Sequence, residues 1–226
     1  MTNTLHRFGK PEDLKDDYIV FAMPSRGIND IGALEKVRAF LDAALKYNPV
    51  NLGNALAGPL YRPEKDLNWV RLYFIGRREK VSPEQVISDL EEPGSAAVMF
   101  DNREAMAAFL KEVRALDLGI SVNVSALVDD AREACRAAGI TPHSVEYSLG
   151  FQGDLHRLPD RQVLALTTMC GHGMISAGFA RKMIDRVKEG RLTPEKAVGY
   201  IAKFCICGVF NTTRAIRILN EARMSN

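Results

Sequence analysis

The chain changes its pattern near residue 150, and this change constrains the fold more than any other feature. Before it, two kinds of segment follow one another along the chain. Some have apolar runs or the alternating apolar and polar residues of strands, and the others have apolar residues at every third or fourth position, as in helices. After it, only helical patterns occur. We therefore predict an α/β (α+β) protein, in which an N-terminal two-layer α/β sandwich of about five strands (residues 1–150) precedes a C-terminal all-helical region (residues 151–226).

Five segments of the N-terminal region are predicted strands, and most of them are short apolar or alternating runs. They are Asp17 to Met23, Trp69 to Ile75, Ala96 to Phe100, Ile120 to Ala126 and His143 to Leu149. Strands that alternate bury one face only, which favours helices packed on one side of the sheet. The segment from Asn48 to Asp66 is rich in Gly, Pro and Asn, and we predict a long connection there, of a length that often has a functional role.

Charge and hydropathy exclude several classes of protein. Residues 178–226 contain ten Lys or Arg against four Asp or Glu, and the preceding 177 residues contain 20 against 24. The basic residues fall on the polar faces of predicted helices without interleaved aromatic residues, which favours a small anionic ligand over nucleic acid. No run approaches the roughly 20 apolar residues of a membrane span. We predict a cytoplasmic protein with no membrane partner, and the sequence leaves a homo-oligomer open.

Two short stretches concentrate the cysteines. "TTMCGHGMIS" contains Cys170 and His172, and "FCICGVFNTTR" contains Cys205 and Cys207. Each stretch lies at a joint between predicted helices, and a helical hairpin between them would bring the four side chains together. A Cys3His set suits Zn²⁺, whereas three cysteines could equally hold an iron–sulfur cluster with one iron left open or bound by His172. The alternative is that these cysteines, like Cys135 on its helix stripe, are buried core residues.

Several neighbouring residues are candidates for catalysis and binding. We place Cys170 at the start of the following helix, where the helix dipole would lower the pKa of its thiol, and Cys170 and His172 are the candidate catalytic pair. Asn211 is a predicted N-cap, and Arg214 lies one turn further on. Both are candidates to bind a carboxylate or phosphate, unless Arg214 is simply a solvated surface residue. The Ser25–Gly27 turn after the first strand is a second candidate anion site.

The stretch "MCGHG" with its following helix resembles the first catalytic cysteine motif of the proline racemase and hydroxyproline epimerase family. The resemblance covers about five residues and carries over to Cys170, with His172 beside it. It implies a metal-free enzyme in which a thiolate exchanges the α-proton of an amino acid. The second turn departs from that family's pattern, because it contains two cysteines, and the whole chain is not placed in a family.

The sequence therefore favours an enzyme that depends on a metal or an iron–sulfur cluster. A Cys/His-ligated centre acting on a small anionic metabolite favours lyase or dehydratase chemistry, in which the metal polarises a hydroxyl or carbonyl group. Two alternatives remain open at this point. One is a metal-free thiolate enzyme, racemase-like or isomerase-like, that uses Cys170. The other is a structural zinc site in a binding module without enzymatic activity.

Overall fold

The computed structural model describes residues 6–63 and 78–224, so the predicted strand at 69–75 lies outside the described residues. The strands are β1 (Tyr18–Met23), β2 (Asn51–Asn54), β3 (Gly58–Pro59), β4 (Tyr61–Pro63), β5 (Arg78–Lys80), β6 (Ala96–Phe100) and β7 (Ser121–Ser125). The α-helices are α1 (Ala33–Leu45), α2 (Pro83–Ser88), α3 (Arg103–Leu116), α4 (Val128–Ala137), α5 (Arg161–Thr167), α6 (Ala177–Lys188), α7 (Pro194–Ala202) and α8 (Thr212–Met224).

The main sheet has five antiparallel strands in the order β3-β2-β6-β1-β7. Strand β1 pairs with β6 on one side and β7 on the other, and Val20 lies opposite Val98 and Val124. On the far side of β6, β2 places Asn51 opposite Met99. Strands β4 and β5 form a separate two-stranded ribbon. The antiparallel order places β6 between β1 and β2, with the short β3 at the edge beyond β2.

The sheet is packed on both faces in its centre, because β1 and β6 are buried along nearly their whole length. Alternate residues of β1 enter two different cores. Val20 joins the core that contains residues of α1, α2 and α3. Phe21 joins the core formed with the helices α5 to α8. The predicted α/β class with an N-terminal sandwich is confirmed, and the C-terminal helices form a third layer on the opposite face. The division of the chain at residue 150 stays a prediction.

Helices α2, α6 and α7 begin at capping side chains that the sequence indicates. The Ser82 and Thr193 side chains accept hydrogen bonds from the first turns of α2 and α7, and each of these helices has proline at its first position. Ser176 caps α6 in the same way. None of the helices in the described residues is long and apolar enough to cross a membrane.

The main sheet has five strands, as predicted, but two of them are not strands that the sequence predicted. Strands β2 and β3 lie in the segment predicted to be a long connection, and their pairing with the buried β6 overrides the low strand propensity of Asn and Gly. The predicted strand at 143–149 is absent. Its residues are irregular, and the alternating Val145, Tyr147 and Leu149 are exposed. Alternation alone does not form a strand where no partner strand or core lies beside it.

Candidate functional site

The first cysteine turn connects α5 to α6. Helix α5 ends at Thr167, and Cys170 follows it by three residues. The Gly173 N–H donates to the Cys170 carbonyl at 3.1 Å, and Gly173 has a φ of 65°. Helix α6 begins only at Ala177. The prediction that Cys170 lies at the start of this helix is therefore wrong, because a tight turn and an extended N-cap residue separate them.

The second cysteine turn connects α7 to α8 and has the same spacing from cysteine to glycine. The Cys205 N–H donates to the carbonyl of Ala202 at 3.0 Å, and Gly208 has a φ of 80°. This turn lies directly on β2. A Cβ atom added to Gly53 would be 3.0 Å from the Cys207 carbonyl, and one added to Gly208 would overlap the backbone of Gly53. The two glycines therefore allow the cysteine turn to touch the sheet.

The structure brings the four predicted metal ligands together. The thiol of Cys170 hydrogen-bonds to Cys205, which in turn hydrogen-bonds to Cys207. A ring nitrogen of His172 (Nδ1) lies 3.6 Å from Cys207 Sγ. The three cysteines are almost completely buried, whereas His172 is exposed. The group lies between the C-terminal helices and β2, with its histidine at the surface.

Each of the three sulfurs accepts a hydrogen bond from the backbone N–H two residues further along the chain. The donor and acceptor pairs are His172 to Cys170, Cys207 to Cys205, and Val209 to Cys207. Met174 gives Cys170 a second backbone N–H. A hydrogen bond from a backbone N–H favours the charged form of a sulfur, but at Cys170 and Cys205 the neighbouring thiols and burial outweigh this effect.

The pKa shifts show which thiol loses its proton first. The hydrogen bond to Cys205, together with burial, raises the pKa of Cys170. The pKa of Cys205 is also raised: the hydrogen bond from Cys170 lowers it, but the bond to Cys207 and burial outweigh that effect. The pKa of Cys207 is lowered by the hydrogen bond from Cys205, the backbone N–H of Val209 and the charge of Arg7. The expectation of a lowered pKa at Cys170 is wrong, and Cys207 is the favoured thiolate.

Arg7 belongs to this site, and the sequence patterns give no sign of it. Its Nη2 donates to the carbonyl of Val209 at 2.6 Å, and its Nη1 donates to the carbonyl of Thr168 at 3.5 Å. The backbone N–H of Phe8 also donates to Thr168 Oγ1 at 3.0 Å. The segment before β1 therefore contacts both cysteine turns. Only its position in space, and not any motif, identifies it.

The predicted anion-binding pair lies in a buried ion network. Arg214 is 1% exposed and donates from Nη1 to Asp17 Oδ2 at 3.0 Å. Its other donors bond to the carbonyls of Phe8 and Asp13. It is therefore not a solvated surface residue, and all three bonds go to the protein itself. Burial lowers its pKa, whereas the charge of Asp17 raises it. Binding of an external anion by Arg214 stays a prediction.

Asn211 is the N-cap of α8, as predicted, and it is completely buried. Its Oδ1 accepts from the backbone N–H of Arg214 at 2.9 Å, while its Nδ2 donates to the Asp16 carbonyl and to Asp17 Oδ1. Asn211 thus connects the start of the last helix to the residues before β1. Its side chain makes these contacts within the protein, and a role in cofactor binding stays a prediction.

Replacing Asn211 with alanine is expected to lower the free energy of unfolding by about 2–3 kcal/mol, because a helix cap and a buried polar contact to Asp17 are lost together. Urea denaturation measures the change. Ser176→Ala is the matched control, since it removes only an exposed cap of α6 and should cost about 1 kcal/mol. Equal losses in the two variants would contradict the buried role of Asn211.

The other predicted anion site, the Ser25–Gly27 turn, forms a local turn. The backbone N–H of Ser25 donates to Asn29 Oδ1 at 2.6 Å, and Arg26 is exposed. Cys135, the expected core cysteine, is buried on α4 and is 8% exposed. The turn's role in anion binding stays a prediction, while the core position of Cys135 is confirmed.

The chemistry of the site follows from its donor set. Within residues 6–63 and 78–224, the side chains as placed form no group of three or more His, Cys, Asp or Glu that would hold a metal ion. The thiols form a chain of hydrogen bonds instead, so metal binding requires them to lose protons and to rotate toward a common centre. Comparisons with protein families, curated proteins and solved structures find no match to this chain.

Proposed function

We propose that this chain is a metal-binding protein in which Cys170, Cys205, Cys207 and His172 hold a single Zn²⁺ ion. The observation that carries the proposal is the convergence of three buried cysteines and one imidazole at the two turns, with Cys207 Sγ 3.6 Å from His172 Nδ1. Three cysteines and a histidine are a ligand set that zinc prefers, and a bound metal ion would keep three buried thiolates together at neutral pH.

One distance between proposed ligands, and the contacts among the thiols, support a single ion over an iron–sulfur cluster. Tetrahedral zinc, with zinc–sulfur and zinc–nitrogen bonds of about 2.3 Å and about 2.0 Å, places its sulfur and nitrogen ligands about 3.5 Å apart. The distance between Cys207 Sγ and His172 Nδ1 is 3.6 Å. A cluster with one cysteine on each iron would hold the sulfurs farther apart than direct hydrogen-bond contact.

The exposure of His172 supports a second candidate, in which the metal is catalytic. An imidazole at the surface is the ligand that water or a substrate would displace most readily, and three buried thiolates would keep the ion in place. A zinc ion with an exchangeable position polarises a hydroxyl or carbonyl group, which suits lyase or dehydratase chemistry on a small anionic metabolite. The structural role is favoured by the position of the three buried sulfurs between the C-terminal helices and β2.

A metal-free thiol mechanism would use Cys207 and not Cys170. The Cys207 thiol has the lowered pKa and lies beside His172, the arrangement of an activated nucleophile and its base. Its near-complete burial argues against direct contact with a substrate. The zinc proposal also implies a compartment where thiols stay reduced, such as the cytoplasm, and it leaves the oligomeric state open.

The first test of the proposal is the metal content of the purified protein. We expect about one zinc per chain by elemental analysis, and loss of that zinc in Cys170→Ser and Cys207→Ser. Cys135→Ser is the matched control and should keep the metal, because Cys135 lies on α4 away from the turns. Brown protein with iron and sulfide would indicate a cluster instead. Metal-free protein in which alkylation of Cys207 abolishes function would favour the thiol mechanism.

A further inference from the structure

We infer that Arg7 is the positioning and charge-balancing residue of the metal site, and that the site is built for a metal complex with a net charge of −1. This inference rests on the proposed function, because it assigns a role at the same site. Arg7 is assigned by two independent features: the contacts that it makes to both cysteine turns, and an excess of buried positive charge beside them.

The contacts of Arg7 fix the distance between the two turns. Thr168 lies two residues before Cys170, and Val209 lies two residues after Cys207. One guanidinium donates to the carbonyl groups of both Thr168 and Val209. The same Val209 donates its backbone N–H to the sulfur of Cys207. Arg7 therefore would not bind the metal itself. It holds the backbone next to the proposed ligands, as the hydrogen-bonding partners of metal ligands commonly do.

The fully buried charges around Arg7 do not cancel within the described residues. Arg7 Nε lies 3.3 Å from Asp17 Oδ2, and Arg214 Nη1 lies 3.0 Å from the same oxygen. The three side chains are 7%, 1% and 1% exposed, so two buried guanidiniums share one buried carboxylate. The neighbouring Arg217 is more exposed and pairs with both Asp16 and Glu221, in contact with solvent. Within the buried group of Arg7, Arg214 and Asp17, one positive charge is left over.

The hydrogen bonds of Arg7 point to the same excess. Its contact with Asp17 lacks hydrogen-bond geometry, and its Nε is the one buried side-chain nitrogen or oxygen in the described residues without a hydrogen-bond partner. An uncompensated charge of this kind costs several kcal/mol when it is removed from water. A protein that buries it needs a negative charge nearby.

A divalent metal complex of the proposed ligands supplies that charge. One Zn²⁺ with three thiolates and a neutral imidazole has a net charge of −1, which balances the single positive excess. Three protonated thiols would supply nothing, and a monovalent ion would give −2. The balance therefore favours a divalent ion that is bound by all three thiolates together.

The test compares Arg7→Gln with Arg7→Lys in the full-length protein. Glutamine removes the positive charge and keeps an N–H donor. Lysine keeps the positive charge but loses the planar guanidinium that donates to two carbonyl groups at once. Zn²⁺ affinity is measured by competition with a chelator, and the sulfur-to-metal charge-transfer band is recorded with Co²⁺. Arg217→Gln is the control, since Arg217 also binds the segment before β1, through Asp16 and the Asp13 carbonyl.

We expect the affinity of Arg7→Gln for Zn²⁺ to fall by roughly 10–100-fold, with its Co²⁺ band moved to longer wavelength, because loss of a nearby positive charge raises the energy of the sulfur electrons. Arg7→Lys and Arg217→Gln should stay within a few fold of the unmodified protein. Unchanged affinity and spectrum in Arg7→Gln would overturn the inference, although the zinc site itself would stand.

An equal loss in the glutamine and lysine variants would also overturn the charge-balancing role, since it would show that geometry alone matters. If Arg7→Gln does not fold, Arg7→Lys decides the matter by itself. A folded lysine variant that binds Zn²⁺ like the unmodified protein supports the inference, and one that binds tenfold or more weakly overturns it. Failure of the unmodified protein to bind a divalent metal would instead refute the proposed function.

Discussion

Replacing Gly208 with alanine is expected to lower the free energy of unfolding by about 3 kcal/mol or more, one of the largest effects of any single methyl group in this protein. Gly208 has a φ of 80°, a conformation that costs an L-residue about 1–2 kcal/mol. The added Cβ would also overlap the backbone of Leu52 and Gly53. Backbone atoms of a buried strand cannot move aside as a flexible side chain can. Chemical denaturation followed by circular dichroism measures the loss.

Gly173→Ala separates the two causes of this effect. Gly173 occupies the equivalent place in the first cysteine turn and has a φ of 65°, but nothing lies within 4 Å of a Cβ added there. We expect it to lose about 1–2 kcal/mol, which is the cost of the backbone conformation alone. If Gly208→Ala and Gly173→Ala lose the same amount, the close approach between the second turn and β2 is not a constraint on the fold.

If the proposed Zn²⁺ ion is bound, its removal is expected to have an effect at least as large. A ligand that binds only the native state stabilises it by about 4 kcal/mol when its free concentration is 1,000 times its dissociation constant. We therefore expect a chelator to lower the urea midpoint of the unmodified protein strongly. Cys205→Ala should abolish this dependence on zinc, because Cys205 is the central member of the sulfur chain and is completely buried.

Cys135→Ala is the matched control for this measurement. It also removes a buried thiol, and it should lose some stability through the cavity it leaves, but its response to chelator should equal that of the unmodified protein. A midpoint that does not change when zinc is removed from the unmodified protein would contradict a folding role for the metal. It would leave the catalytic alternative, with the exposed His172 as the exchangeable ligand, to be tested by activity.

The helices and the general class of the fold were predictable because their signals are local. Thr193 with Pro194 and Ser176 each satisfy the first turn of their own helix, so a few neighbouring residues determine where the helix begins. The strand segments were less predictable. Strand β2 contains two asparagines and a glycine and exists because β6 pairs with it, whereas 143–149 alternates well but has no strand to pair with in the described residues.

The four-residue cluster was predictable from its place in the chain, but its electrostatics were not. Both cysteine stretches lie at joints between predicted helices, and the helical hairpin between them indicated that their side chains converge. The ordering of the thiols by pKa depends on which sulfur donates to which, and that is set by side-chain positions in the folded protein. Arg7 is more than 160 residues from the turn that contains Thr168. No local pattern can indicate such a contact.

The bridge that Arg7 makes to Val209 joins positions 202 apart in the chain. During synthesis on the ribosome, the first of these groups emerges long before the second exists. Arg7 cannot join the two cysteine turns until the segment that contains Val209 has been made and the segment before β1 has folded back onto it. If the proposed zinc site forms, we expect stable metal loading only after that step, because a chain cut before Val209 would lack this contact.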